Sequence, residues 1–329
     1  MSTPYLSWGG IAAVVAIAVG AQWDTFVHTT SVHNLFDPAH LLLLAGLMLF
    51  SACGIVALVQ SRKEHDPRIL MGTRIVAFGG IFVFFSMLVL DELWHLIFGL
   101  DQTAWSPPHM AATFGMFSAL LGMFVITVEP TAGTFRNRVS ETKAILISAA
   151  MLMVLLFNFI EFDLPTSLWL VSVLPGFFYP VFLSWAIMTT FVLMFAVQRK
   201  IWAASIAAVI SWSFFTATGI AVETATRSSY VEIPFPIFLP AISFDLLLSL
   251  YKRTTFPLSW QLICGIAAVT FTTSYWSIVG WSVVTALPQR LSGSPIEWVS
   301  WFAIFLMMVP LTSLIVYTAV SKSGPSMAR

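Results

Sequence analysis

Apolar runs of about 20 residues recur along the whole chain, and a run of that length at about 1.5 Å rise per residue spans a hydrocarbon core. They predict transmembrane helices over residues 8–28, 39–60, 75–99, 108–128, 144–162, 176–198, 201–222, 235–251, 256–283 and 298–320. That is ten; the eighth run is short, so nine is the alternative count. Period-two alternation is absent, and a bundle of helices satisfies its backbone hydrogen bonds without water. The expected fold is all-α: a polytopic integral membrane helical bundle with no room for a soluble domain.

Against this apolar background the polar positions of the first 120 residues fall into a repeated order. Asp24, His28 and His40 are matched by Asp91, His95 and His109. Asp24-Thr-Phe-Val-His28 aligns with Asp91-Glu-Leu-Trp-His95. Phe36 and Trp105 stand four residues before the second His, Pro38 and Pro107 two before it, and Gly46 and Gly115 six after it. Both copies read as a helix out and a helix back, a duplication about an axis along the membrane normal. Two domains are expected: a four-helix duplicated hairpin domain over 1–130 and a six-helix membrane domain over 131–329.

Composition agrees with the membrane assignment: 58% of residues are hydrophobic and 9% charged, with 29 Phe and 13 Trp. Net charge is zero and there is no basic stripe, so nucleic acid is not an expected partner. Thirteen of the fifteen Lys and Arg fall in alternate loops and the C-terminal tail; Arg227 and Arg290 lie on the other side. The positive-inside rule then puts both termini in the cytoplasm of a plasma-type membrane and opens both hairpins outward. Cys53 and Cys264 lie in apolar runs and read as small core residues. With no Lys or Arg before the first apolar run, a cleaved secretory signal is not expected.

Spacing suggests what the repeated residues do. Residues four apart share a helix face, so Asp24 with His28, and Asp91 with His95, can point at one atom. Proline is tolerated in a first helical turn, so Pro38 and Pro107-Pro108 mark the start of the return helices, with His40 and His109 facing back across the hairpin. Each hairpin can offer two imidazoles and a carboxylate, a set suited to copper, zinc or iron, with positions left for water or substrate. The competing reading is that these groups cap helices or hydrogen-bond at the interface. His33, Asp37 and Asp101 belong to the connecting loops, His33 being the best spare ligand, while His65 reads as a surface residue. Trp94 and Trp105 bracket the second set and could wall it.

The second hairpin, with Asp101-Gln-Thr-Ala-Trp105-Ser-Pro-Pro-His109 after His95, resembles the metal-binding core of the C subunit of copper membrane monooxygenases. These are the particulate methane and ammonia enzymes. The stretch Pro236-Ile-Phe-Leu-Pro240-Ala-Ile-Ser-Phe-Asp245 is similar, more weakly, to a segment of the A subunit of the ammonia enzymes. The resemblance implies copper at both sets and oxygen-dependent oxidation of ammonia or a small apolar substrate. It also implies other subunits, including one bearing a cupredoxin domain. Both sets here start with Asp, where the family has one Asn, and nothing in the chain resembles the cupredoxin domain. Without the resemblance, Asp245 reads as a helix-interior carboxylate paired with Tyr251 or an Arg. Two other functions fit the same residues: an ion or metal transporter, and a non-catalytic subunit using the hairpins for assembly.

Overall fold

The computed structural model describes residues 4–30, 36–98, 107–127, 135–160, 178–198, 201–226, 234–252, 265–266 and 269–278. These are helical apart from short turns, and no strand occurs among the described residues. Helices α1 (Pro4–Thr30) and α2 (Pro38–Ser61) form the first hairpin. The second runs out through α3 (Pro67–Phe85), a five-residue π-helical turn (Ser86–Leu90) and α4 (Asp91–Phe98), and back through α5 (Pro107–Thr127). Then follow α6 (Phe135–Ile160), α7 (Phe178–Gln198), α8 (Ala203–Thr226) and α9 (Phe238–Lys252). Residues 265–266 and 269–278, inside the ninth predicted span, are also helical, while the tenth span lies outside the described residues.

Among the described residues, six segments are long and apolar enough to cross a membrane: Tyr5–Asp24, Pro38–Ser61, Ile69–Trp94, Pro107–Thr127, Ser140–Phe157 and Ala203–Thr226. Leu183–Phe195 and Phe238–Leu250 are shorter apolar helices. The chain is thus an all-helical protein with the segments of an integral membrane protein. Two buried hydroxyls bond to their own helices, as hydrocarbon favours: Ser51 Oγ donates to the Leu47 carbonyl at 2.9 Å and Ser148 Oγ to the Ala144 carbonyl at 2.8 Å.

Two helices begin well before the apolar runs that predict them. α3 starts at Pro67 because Asp66 caps it, its Oδ1 accepting the Ile69 N–H at 3.3 Å, with Pro in the first turn. α6 starts at Phe135, nine residues ahead of the apolar run at 144. Its first two turns are polar, a pattern invisible to hydropathy.

The chain divides into two compact units, one of residues 1–164 with 210–234 and the other of 165–209 with 235–329. In the first, α2 packs on α1 and α3, α5 packs on α3, and α6 packs on α5 and α1. Thus α6, assigned from sequence to the second domain, lies against the first hairpin. Its Lys143 Nζ sits 5.7 Å from the centre of the Trp8 ring of α1, and its Ser140 Oγ donates to the Thr127 carbonyl at the end of α5. Phe50, Leu120, Met123, Phe124 and Ile147 are buried in this unit's core. In the second unit Phe244 of α9 packs on Phe191 and Phe195 of α7, at 5.8 and 6.5 Å between ring centres.

Helix contact in the first unit is backbone to backbone. A Cβ at Gly79 would stand 2.4 Å from the Gly115 carbonyl oxygen and 2.6 Å from the Ala119 nitrogen, and one at Gly54 would stand 2.8 Å from the Gly80 Cα. No rotamer change relieves such clashes, so Gly79→Ala should destabilise the protein by about 1–3 kcal/mol in an unfolding measurement in bicelles. Gly265, where an added Cβ would meet nothing within 4 Å, is the control. Gly265→Ala should be neutral or stabilising by up to about 1 kcal/mol.

Candidate metal centre

The loop-side ends of the two hairpins carry the repeated Asp and His residues, and the structure brings one pair together in each. His40 Nδ1 lies 3.6 Å from Asp24 Oδ1 and His109 Nε2 lies 3.5 Å from Asp91 Oδ1. All four side chains are largely enclosed, with exposures of 13–28%. In both hairpins the outgoing helix supplies the carboxylate and the first turn of the return helix supplies the imidazole. The turn is set by Pro38 at the start of α2, whose Leu41 N–H bonds the Asp37 carbonyl at 2.9 Å, and by Pro107 at the start of α5.

The register behind each pair is set by close packing. A Cβ at Gly46 would stand 3.0 Å from the Ala13 carbonyl oxygen and 2.9 Å from the Ile17 nitrogen; one at Gly115 would stand 3.0 Å from the Gly79 carbonyl oxygen and 3.1 Å from the Val83 nitrogen. Ala13 and Gly79, like Ile17 and Val83, are 66 positions apart, whereas Asp24 and Asp91 are 67 apart. The π turn at Ser86–Leu90 falls between these landmarks. A π turn takes up one residue more than an α turn, which returns Asp91 to the side of the helix that faces the return histidine.

Of the remaining expected ligands, His28 follows Asp24 on α1 and His95 follows Asp91 on α4, each about 6 Å further along the axis. Their side chains lie outside the described residues, as do His33, Asp101 and Trp105. Trp94 is half-buried on α4 beside the second set. Among the described residues no group of three His, Cys, Asp or Glu is placed to hold an ion. The donors that are described, one carboxylate and one imidazole per hairpin, fit a copper, zinc or iron site that His28 and His95 would complete.

Asp245 lies in the second unit and has a different setting. Its Oδ2 accepts the Ser205 N–H at 2.8 Å and the Ser205 hydroxyl at 2.6 Å, with the side chain 1% exposed. This carboxylate caps the start of α8 from a neighbouring helix. Among the described residues its partner is Ser205; the Tyr251 side chain lies outside them. The turn into α8 is strained, with Trp202 at φ 74°, a left-handed conformation that is costly for a bulky residue.

Sequence reasoning also passed over Gln22. It is 8% exposed, two residues before Asp24, and its Nε2 donates to the Phe215 carbonyl at 3.2 Å, tying α1 to α8 within the first unit. A lone amide in an apolar run was the available signal. No protein-family model, curated protein or solved structure matches the chain.

Two outcomes follow from these contacts. In chelator-treated protein, Asp24→Ala and His40→Ala should be non-additive in unfolding free energy, with a coupling of about 0.5–3 kcal/mol. Additivity would mean the two side chains do not interact. Asp245→Ala, which strands a buried N–H and hydroxyl, should cost about 1–3 kcal/mol, with Asp245→Asn recovering part of the loss.

Proposed function

We propose that this chain is an integral membrane metal-binding protein in which each hairpin holds a copper ion, and that it is related to the copper membrane monooxygenases. The observation that carries this reading is the Asp-to-His approach in both hairpins, at 3.6 and 3.5 Å, formed from the same helix positions. Matching Gly46 and Gly115 contacts behind the two pairs support a duplicated unit. Ionisable groups are expensive in or beside hydrocarbon, and a repeated set of them argues for retention by function.

Asp24, His28 and His40 would hold one ion and Asp91, His95 and His109 the other. Asp24 and Asp91, 3.6 and 3.5 Å from an imidazole nitrogen, would add negative charge to each set and leave positions open for water or substrate. The outgoing helix and the first turn of the return helix present these groups from rigid elements, and the enclosed side chains limit access of water. Bound copper would supply redox chemistry with oxygen, suited to oxidising ammonia or a small apolar molecule. The polar hairpin ends would face the outer side, with both termini cytoplasmic. The ten-helix count and a cupredoxin-bearing partner belong to the same reading.

A transporter is less favoured, because α2 offers no polar route below His40. Ser51 spends its hydroxyl on its own helix, and the Cys53 sulfur packs where a Cβ at Gly9 would be, 2.7 Å away.

Elemental analysis of the protein in a native-like bilayer tests the proposal. Wild type should bind copper, and His28→Ala/His40→Ala and His95→Ala/His109→Ala should each lose about one equivalent. Asp24→Ala, which removes one of the three groups at that hairpin, should weaken its copper affinity at least about tenfold. A wild-type protein that stays metal-free after loading with copper, zinc and iron would leave the Asp–His pairs as interhelical ties and the hairpins as assembly elements.

A further inference from the structure

An exposed side of the second hairpin carries a groove of about 410 Å³. It is lined by Leu70, Met71, Arg74, Ile75 and Phe78 of α3 and by Ser118 of α5. Small-molecule sites occupy about 300–1,000 Å³, so the groove is large enough for part of one acyl chain. Met71 and Phe78 are 52% and 53% exposed and, with Ile75, form a stripe at helical spacing. Phe78 stacks on Phe82 at 5.5 Å between ring centres, extending the apolar wall along the helix.

Arg74 interrupts this stripe. It lies in the segment Ile69–Trp94, about 10 Å beyond the start of α3 at Pro67, and is exposed. No ion pair of Arg74 occurs among the described residues. The nearest carboxylates in sequence serve the turn before α3: Glu64 Oε1 accepts the His65 and Asp66 N–H groups at 2.9 Å, and Asp66 Oδ1 accepts that of Ile69. A guanidinium on an exposed apolar stripe of such a segment needs an anion or a path to the interface, and its fork matches the oxygens of a phosphate. Ser118, across the groove on α5, makes no hydrogen bond among the described residues and adds a second donor.

We infer that this groove binds an anionic glycerophospholipid, its phosphate on Arg74 and Ser118 and one acyl chain along Met71, Ile75 and Phe78. The apolar wall selects a chain-bearing ligand over free phosphate. A single cationic fork selects a headgroup without a cation of its own. Neither feature involves the hairpin Asp and His residues, so the site stands apart from the proposed metal centres.

The test is lipid retention by the full chain. Protein reconstituted in phosphatidylcholine containing phosphatidylglycerol is extracted in mild detergent, and retained lipids are counted by native mass spectrometry. Wild type should keep phosphatidylglycerol, Arg74→Gln should keep about tenfold less, and Arg62→Gln, at an exposed position after α2, should match wild type. If Arg74→Gln cannot be purified, Ile75→Trp, which fills the groove and leaves the cation, should show the same loss. Equal retention by Arg74→Gln or Ile75→Trp and wild type would overturn the inference. So would equal retention of phosphatidylcholine, full displacement by glycerol phosphate, or disulfide-linked dimers of Met71→Cys in the bilayer, which would put a second copy over the groove.

Discussion

Helices in hydrocarbon gain nothing by hiding apolar side chains from lipid, so close approach of backbones has to hold them together. The first unit is built on that constraint. Gly46 lets α2 settle against the backbone of α1, Gly115 and Gly79 let α5 and α3 meet, and Gly54 against Gly80 joins one hairpin to the next. Once these contacts fix how far one helix slides along another, the positions at the hairpin ends are no longer independent. The return histidines arrive opposite the outgoing carboxylates because the glycines two turns below leave no other register. The π turn belongs to the same geometry, since without its extra residue Asp91 would be rotated about 100° around its helix relative to the frame that Gly79 and Val83 set.

Three carboxylates in this apolar chain show two uses of a charge. Asp245 is wholly enclosed and its oxygen is taken by the amide and hydroxyl of Ser205, which makes it architecture: it closes the open end of α8. Asp24 and Asp91 sit near the hairpin ends, partly exposed, each facing an imidazole that is itself an electron-pair donor. A helix cap needs only a carboxylate and N–H groups. An imidazole brought to a carboxylate twice over, from equivalent positions, would suit the ion-binding role proposed for the hairpins and is more than a cap needs.

Much of this was legible in the residues. Runs of apolar residues locate the helices, and Pro38 and Pro107 mark the return helices within a residue. Boundaries read from hydropathy failed where a helix starts in polar sequence, at Pro67 and Phe135, because capping and solvated turns leave no apolar trace. Pairing across the hairpin followed from the Pro-x-His spacing, but the π turn did not, since one extra residue in an apolar stretch changes no pattern. Nor did the partner of Asp245: Ser205 is 40 residues away, and a hydroxyl in an apolar helix ordinarily bonds to its own backbone.

The most direct measurement of the central claim is pulsed electron paramagnetic resonance on the copper(II)-loaded protein in bilayers, with histidine labelled by nitrogen-15. Copper held by the hairpins should show imidazole couplings from labelled histidine, and these should diminish in His40→Ala and again when His109→Ala is added. Copper signals without imidazole couplings, or couplings unchanged by both substitutions, would contradict a site built across the hairpins.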